Sequence, residues 1–153
     1  MLPTPKKVTV VAGRGEGDHK LTAFDAALLA AGIGNLNLIK VSSILPPECE
    51  LVEQLDIPPG ALTPTAYGTI SSDVKGDRIA AAVAVGFSDH DYGTIMEFSG
   101  HCTQEEAERA VRAMVEEAFR RRGMRLRDVR VASAEHVVGD RPGAVVAAAV
   151  LWY

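Results

Sequence analysis

Apolar and polar positions along the chain mark out most of its elements. Lys7 to Ala12 (KVTVVA) is a β-branched run that reads as a first strand. Gly13-Arg14-Gly15-Glu16-Gly17-Asp18 follows and reads as a glycine-rich loop. Leu21 to Ala31 (LTAFDAALLAA) has the composition of a helix. Thr22 is its candidate N-cap, Asp25 the matching N3 residue of a capping box, and Gly32 and Gly34 the permissive residues that end it. Asn35 to Pro47 then reads as a strand, with apolar content from Leu36, Leu38, Ile39 and Val41. Pro46-Pro47 stops it, because proline has no N–H to donate to a ladder. Two adjacent serines, Ser42 and Ser43, sit near its end.

From Ile44 to Pro64 the chain is rich in proline and acidic residues, which predicts an irregular loop. Thr65–Ser72 and Arg78–Gly86 are strand patterns around the turn Asp73-Val74-Lys75-Gly76-Asp77, and together they predict a hairpin. Ser88 to Asp91 is a polar loop before a further strand, Tyr92 to Phe98. Thr103-Gln104-Glu105-Glu106 is a capping box, and the helix it opens runs to about Arg122. Its apolar face is Ala107, Ala110, Val111, Met114, Ala118 and Phe119, and Gly123 supplies the stop. Val129–Val138 and Ala144–Tyr153 predict a second hairpin around Gly139-Asp140-Arg141-Pro142-Gly143. This order predicts an α+β domain spanning residues 1–153. The last strand, AVVAAAVLWY, is apolar on both faces and needs cover on both. Two stacked, mainly antiparallel sheets between helix layers, an αββα sandwich, provide that cover.

Composition narrows the function classes. A chain of 153 residues has room for one real core, and 47% apolar against 24% charged residues is a globular balance. Aromatics are only 5%, so the core must be close-packed from small residues. A net charge of −4 argues against a nucleic-acid surface, which needs clustered cations. The densest basic run, Arg120-Arg121-Arg122 with Arg125 and Arg127, lies at a helix end and suits its dipole. Cys49 and Cys102 lack metal-ligand spacing, and His19, His90, His101 and His136 are isolated, so no metal is expected. There is neither a signal-peptide pattern nor an apolar run of membrane length, which predicts a cytoplasmic protein with no membrane partner. The glycine-rich stretch fits no phosphate-binding spacing and carries Glu16 and Asp18, which repel phosphate. No G-x-S-x-G elbow occurs. Read this far, the residues give an α+β domain of open function.

Six runs in order change that: Leu21–Asp25 (LTAFD), Ala31–Ile39 (AGIGNLNLI), Val41–Glu48 (VSSILPPE), Pro59–Gly68 (PGALTPTAYG), Ile95–Gly100 (IMEFSG) and Ala147–Tyr153 (AAAVLWY). Together they resemble the pyruvoyl-dependent arginine decarboxylase family over nearly the whole chain. The resemblance implies self-cleavage between Ser42 and Ser43, giving fragments 1–42 and 43–153. The Ser43 hydroxyl attacks the Ser42 carbonyl, the ester eliminates, and the residue left at position 43 hydrolyses to a pyruvoyl group and ammonia. That group stands in for pyridoxal phosphate as electron sink, so neither that cofactor nor a metal is implied. Asn37 matches the oxyanion donor, Glu97 the acid that protonates Cα, and Asp25 the carboxylate for a guanidinium. The implied reaction is arginine to agmatine and carbon dioxide, in a homotrimer with sites between subunits.

Each of these residues also has a plainer role open to it. Asn37 could cap the turn after Gly34, Glu97 could be the outward residue of a half-exposed strand, and Asp25 could be only a cap. Ser71-Ser72 is a second serine pair with similar local composition. Two further functions stay open at this level: the same chemistry on another amino acid, and an unprocessed trimeric module that binds a small cationic ligand.

Overall fold

The structure, a computed structural model, describes residues 2–153. In chain order the elements are β1 (Lys7–Glu16), α1 (Lys20–Ala30), β2 (Asn37–Lys40), β3 (Ile44–Leu45), β4 (Glu50–Leu51), β5 (Leu62–Ser72), β6 (Arg78–Phe87), β7 (Gly93–Gly100), α2 (Gln104–Arg122), β8 (Asp128–Val137) and β9 (Gly143–Trp152). They form a five-stranded sheet, β2-β5-β9-β1-β4, and a four-stranded sheet, β3-β7-β6-β8. Among the described residues only the β1–β4 and β2–β5 pairs are parallel. This is the mainly antiparallel α+β sandwich that the pattern predicts. Neither helix is long and apolar enough to cross a membrane.

Three apolar layers hold the sandwich. Val8, Ile79, Val83, Val85, Ile95 and Val145 fill the space between the sheets. Ala23, Ala27, Leu28, Val146 and Val150 seat α1 on the five-stranded sheet. Ala80, Ala82, Ala84, Val111, Val115 and Phe119 seat α2 on the other. Strand β9 alternates between the first two layers, which is why its sequence is apolar throughout.

Both expected hairpins are absent. β5 pairs with β2 and β9, whereas β6 pairs with β7 and β8, so the turn at Asp73–Asp77 crosses from one sheet to the other. The connection from β8 to β9 crosses likewise. The two crossings lie side by side: Val138 N–H donates to Asp77 O at 2.8 Å, and Gly76 N–H to Val138 O at 2.8 Å. Turn residues fix a reversal of the chain but not whether the returning strand lies beside its predecessor or over it. Here β6 and β9 are buried on both faces, and each takes a central place in a different sheet.

The glycine-rich stretch is strand, not loop. β1 runs to Glu16 and pairs with β9 from Lys7↔Trp152 to Glu16↔Gly143. Its glycines let α1 lie directly on the strand, since a Cβ on Gly15 would stand 2.5 Å from the Ala27 nitrogen. The α1 cap also differs from the expected one. His19 occupies the N-cap position, and its N–H donates to the Thr22 hydroxyl at 3.1 Å. Thr22 is therefore the N3 partner, and Asp25 lies mid-helix and exposed. The α2 cap follows the pattern: Thr103 accepts from Glu106 N–H at 3.2 Å, and Gly123 closes the helix with φ +64. Val115 belongs to its buried face, while Ala110 and Met114 are only half-buried. The predicted loop from Ile44 to Pro64 contains β3 and β4, and β5 already begins at Leu62.

Candidate active site

The predicted strand from Asn35 to Pro47 divides between the two sheets. Its first part, β2, lies parallel to β5, and the ladder continues with Val41 N–H donating to Thr65 O at 3.1 Å. Its second part, β3, lies antiparallel to β7, and here Ile95 N–H donates to Ser43 O at 2.7 Å. The Ser42–Ser43 peptide is thus strung from one sheet to the other, anchored on each side. Ser42 is exposed and Ser43 half-buried.

Glu97 approaches this bond from β7. Register carries on from Ile44↔Thr94 to set Ser43 beside Ile95, and Glu97 is two residues further along on the same face as Ile95. That face points between the sheets, since Ile95 belongs to the core between them. Gly68 on β5 accommodates the side chain: a Cβ there would stand 3.3 Å from Glu97 Cβ. Glu97 is therefore not the outward residue its plainer reading made it. Its Oε2 is buried and has no hydrogen-bond partner among the described residues. Burial raises its carboxyl above the ordinary value, and the nearby Lys40 ammonium pulls the other way. Lys40 itself is held with its ammonium 4.8 Å above the Tyr67 ring.

The other two candidates are not brought to this point within one chain. Asn37 opens β2, and its Nδ2 donates to Gly60 O at 3.0 Å. Four residues of extended strand put it about 13 Å from Val41, beyond reach of the Ser42 carbonyl. Asp25 stands on the solvent face of α1, and among the described residues nothing bonds to its carboxylate. Its neighbours one turn away on either side are Leu21 and Leu29, 76% and 62% exposed.

Two other chemistry-bearing groups have structural accounts. The Ser72 hydroxyl donates to Asp77 Oδ2 at 2.5 Å and accepts from Val74 N–H, so the second serine pair closes a turn. Burial pushes the Cys49 thiol up to about 11, which makes it a poor nucleophile. Sequence reasoning missed Lys40, Gly68 and the Ile95 N–H. The first two had faint signals, a cation two residues before the serine pair and a glycine inside a strand. A backbone donor has none.

A sandwich that strings a half-buried serine between its sheets, with a carboxylic acid on the facing strand whose Oε2 is buried and has no partner among the described residues, has the layout of a small acid–base enzyme. Residues 7–153 match the family model described as pyruvoyl-dependent arginine decarboxylase. A protein of that name from Pyrococcus abyssi is 50% identical over 152 residues, which cover 97% of this chain and 96% of that protein. One of the same name from Methanocaldococcus jannaschii is 49% identical over 151 residues, covering 97% and 91%. The chain belongs to the pyruvoyl-dependent arginine decarboxylase family.

Proposed function

We propose that the chain cleaves itself at Ser42–Ser43 and that the product decarboxylates arginine to agmatine. Atoms balance with one water consumed and one ammonia released. The peptide nitrogen leaves, Ser42 ends fragment 1–42 as a carboxylate, and residue 43 opens fragment 43–153 as a pyruvoyl group. When present, that group supplies an electrophilic ketone for the substrate amine and a sink for the electron pair left by carbon dioxide.

The residues on hand fit such a group. The Ser43 carbonyl is already fixed by Ile95, and Glu97, two residues along the same face of β7, has an Oε2 with no hydrogen-bond partner among the described residues. Glu97 holds a proton through its burial and delivers it to Cα after carbon dioxide leaves. Asp25 takes the guanidinium, whose planar fork suits a carboxylate. Asn37 donates to the oxyanion formed at the Ser42 carbonyl during cleavage. Because Asn37 and Asp25 stand apart from Ser43 within one chain, the reading has a second copy complete each site, in a homotrimer. The exposed Leu21 and Leu29 flanking Asp25 are suitable contact residues for that copy.

The observation that carries the proposal is the Glu97 carboxyl, whose buried Oε2 has no partner among the described residues, on the strand that holds the Ser43 carbonyl. A denaturing gel with intact mass of both bands tests it. We expect fragments 1–42 and 43–153, the second lacking the Ser43 nitrogen, and a single full-length chain from Ser43→Ala. Two fragments from Ser43→Ala, or one chain from the unsubstituted protein, would overturn it.

A further inference from the structure

We infer that the main-chain N–H of Ile95 is a catalytic group of the decarboxylation, a hydrogen-bond donor to the carbonyl oxygen of residue 43 on which negative charge collects as carbon dioxide departs. The inference rests on the proposed decarboxylase reading. It starts from one contact, the 2.7 Å bond from Ile95 N–H to Ser43 O. In an unprocessed chain this is an ordinary ladder bond between β3 and β7. Self-cleavage changes its meaning. The nitrogen of residue 43 leaves as ammonia, so the carbonyl becomes the only backbone polar group the residue retains. That carbonyl is conjugated to the carbon that receives the substrate amine. The electron pair released from the Cα–carboxylate bond therefore spreads onto its oxygen, and it returns to Cα when Glu97 gives up its proton.

A donor aimed at the atom where charge develops stabilises the transition state most when it cannot move. Ile95 meets that condition, because its side chain is fully buried between the sheets and its strand is paired on both sides, with β3 and with β6. The donor is also well oriented for a short bond to an oxygen that gains charge. Glu97 projects from the same strand and face two residues away. One strand thus offers both a fixed donor for the charge and the acid that quenches it.

The test replaces the Ile95 amide by an ester, keeping the side chain and deleting only the N–H. Pyruvoyl content is counted by fragment mass, so that rates are compared per formed group. Carbon dioxide release in a single turnover should fall about 10²–10³-fold, the loss typical of one oxyanion donor. A readout independent of turnover is the infrared band of residue 43 with a ¹³C-labelled carbonyl. It should move to higher frequency in the ester variant, because the hydrogen bond that lowers it is gone. The unsubstituted protein gives a second reading even if the variant does not fold: its labelled band should lie below that of a simple pyruvamide in an aprotic solvent. A band at the free-amide position, or undiminished carbon dioxide release per pyruvoyl group in the ester variant, would overturn the role of Ile95. Failure of the unsubstituted protein to process would instead sink the decarboxylase reading and this inference with it.

Discussion

An acid that gives a proton to carbon must still hold it at the working pH, and burial of Glu97 favours that state. Glu97→Gln keeps the shape and removes the transferable proton. It should leave cleavage in place and lower carbon dioxide release about 10²–10⁴-fold per pyruvoyl group. Normal release from that variant would move the proton to another residue. The pH profile would follow from the same carboxyl: if Glu97 is the acid, turnover needs it protonated, and kcat should fall as pH rises through its raised pKa. Lys40 opposes the raise, so Lys40→Gln should carry this alkaline limb to higher pH, with Lys40→Arg restoring it. Stability has the matching sign. The folded pKa lies above the ordinary 4.5, so Glu97 costs nothing at acid pH and destabilises as pH rises through the folded value. Glu97→Gln should therefore raise the melting temperature at neutral pH and lose that advantage below about pH 4. Asp25 belongs at this scale too. Since it caps nothing, Asp25→Asn should raise the KM for arginine without lowering the melting temperature, and unchanged arginine kinetics would remove it from the substrate site.

Among the elements, the close contact of α1 with β1 makes the sharpest expectation. Gly15→Ala would put a methyl group 2.5 Å from helix backbone, and overpacking of this kind costs about 1–3 kcal/mol. Thr103→Ala should cost about 1 kcal/mol by removing the α2 cap. Chemical denaturation measures both. The contrast between these two sites explains what could be read in advance. The α2 boundaries were legible because caps are local, encoded in Thr103, Glu106 and Gly123 themselves. The extension of β1 was not, because Gly13 and Gly15 resemble loop residues until a helix is laid on them. The two false hairpins have the same origin, since sheet membership is decided by burial of β6 and β9 far along the chain. At the site, family-like runs singled out Ser43, Glu97, Asn37 and Asp25 alike, and only the first two are brought to one place within one chain. The division of Asn35–Pro47 between two sheets had no signal beyond Pro46-Pro47.

At the scale of the whole molecule, a cut after Ser42 would release no piece. Fragment 1–42 would own β1, α1 and β2, yet β1 lies between β9 and β4 in the five-stranded sheet, and β2 rests on β5. The cut protein should show two bands when denatured and one species when native. Separation of the fragments without denaturant would contradict the sheet order.

If the chain cuts itself, the interleaved position of β1 also gives the molecule a history. The uncut chain finds its fold as one polymer, with β1 and β9 brought together by their own connection. After the proposed cut, the same strands would belong to separate solutes, and rebuilding the sheet would become a meeting of two molecules. The processed protein should then unfold with a midpoint that rises with protein concentration by more than that of the uncut Ser43→Ala chain. Equal dependence in both would show that the fragments never come apart on unfolding. Cleavage would thus act as a ratchet: it could follow folding, but once it had occurred the chain could not simply repeat the path by which it first folded.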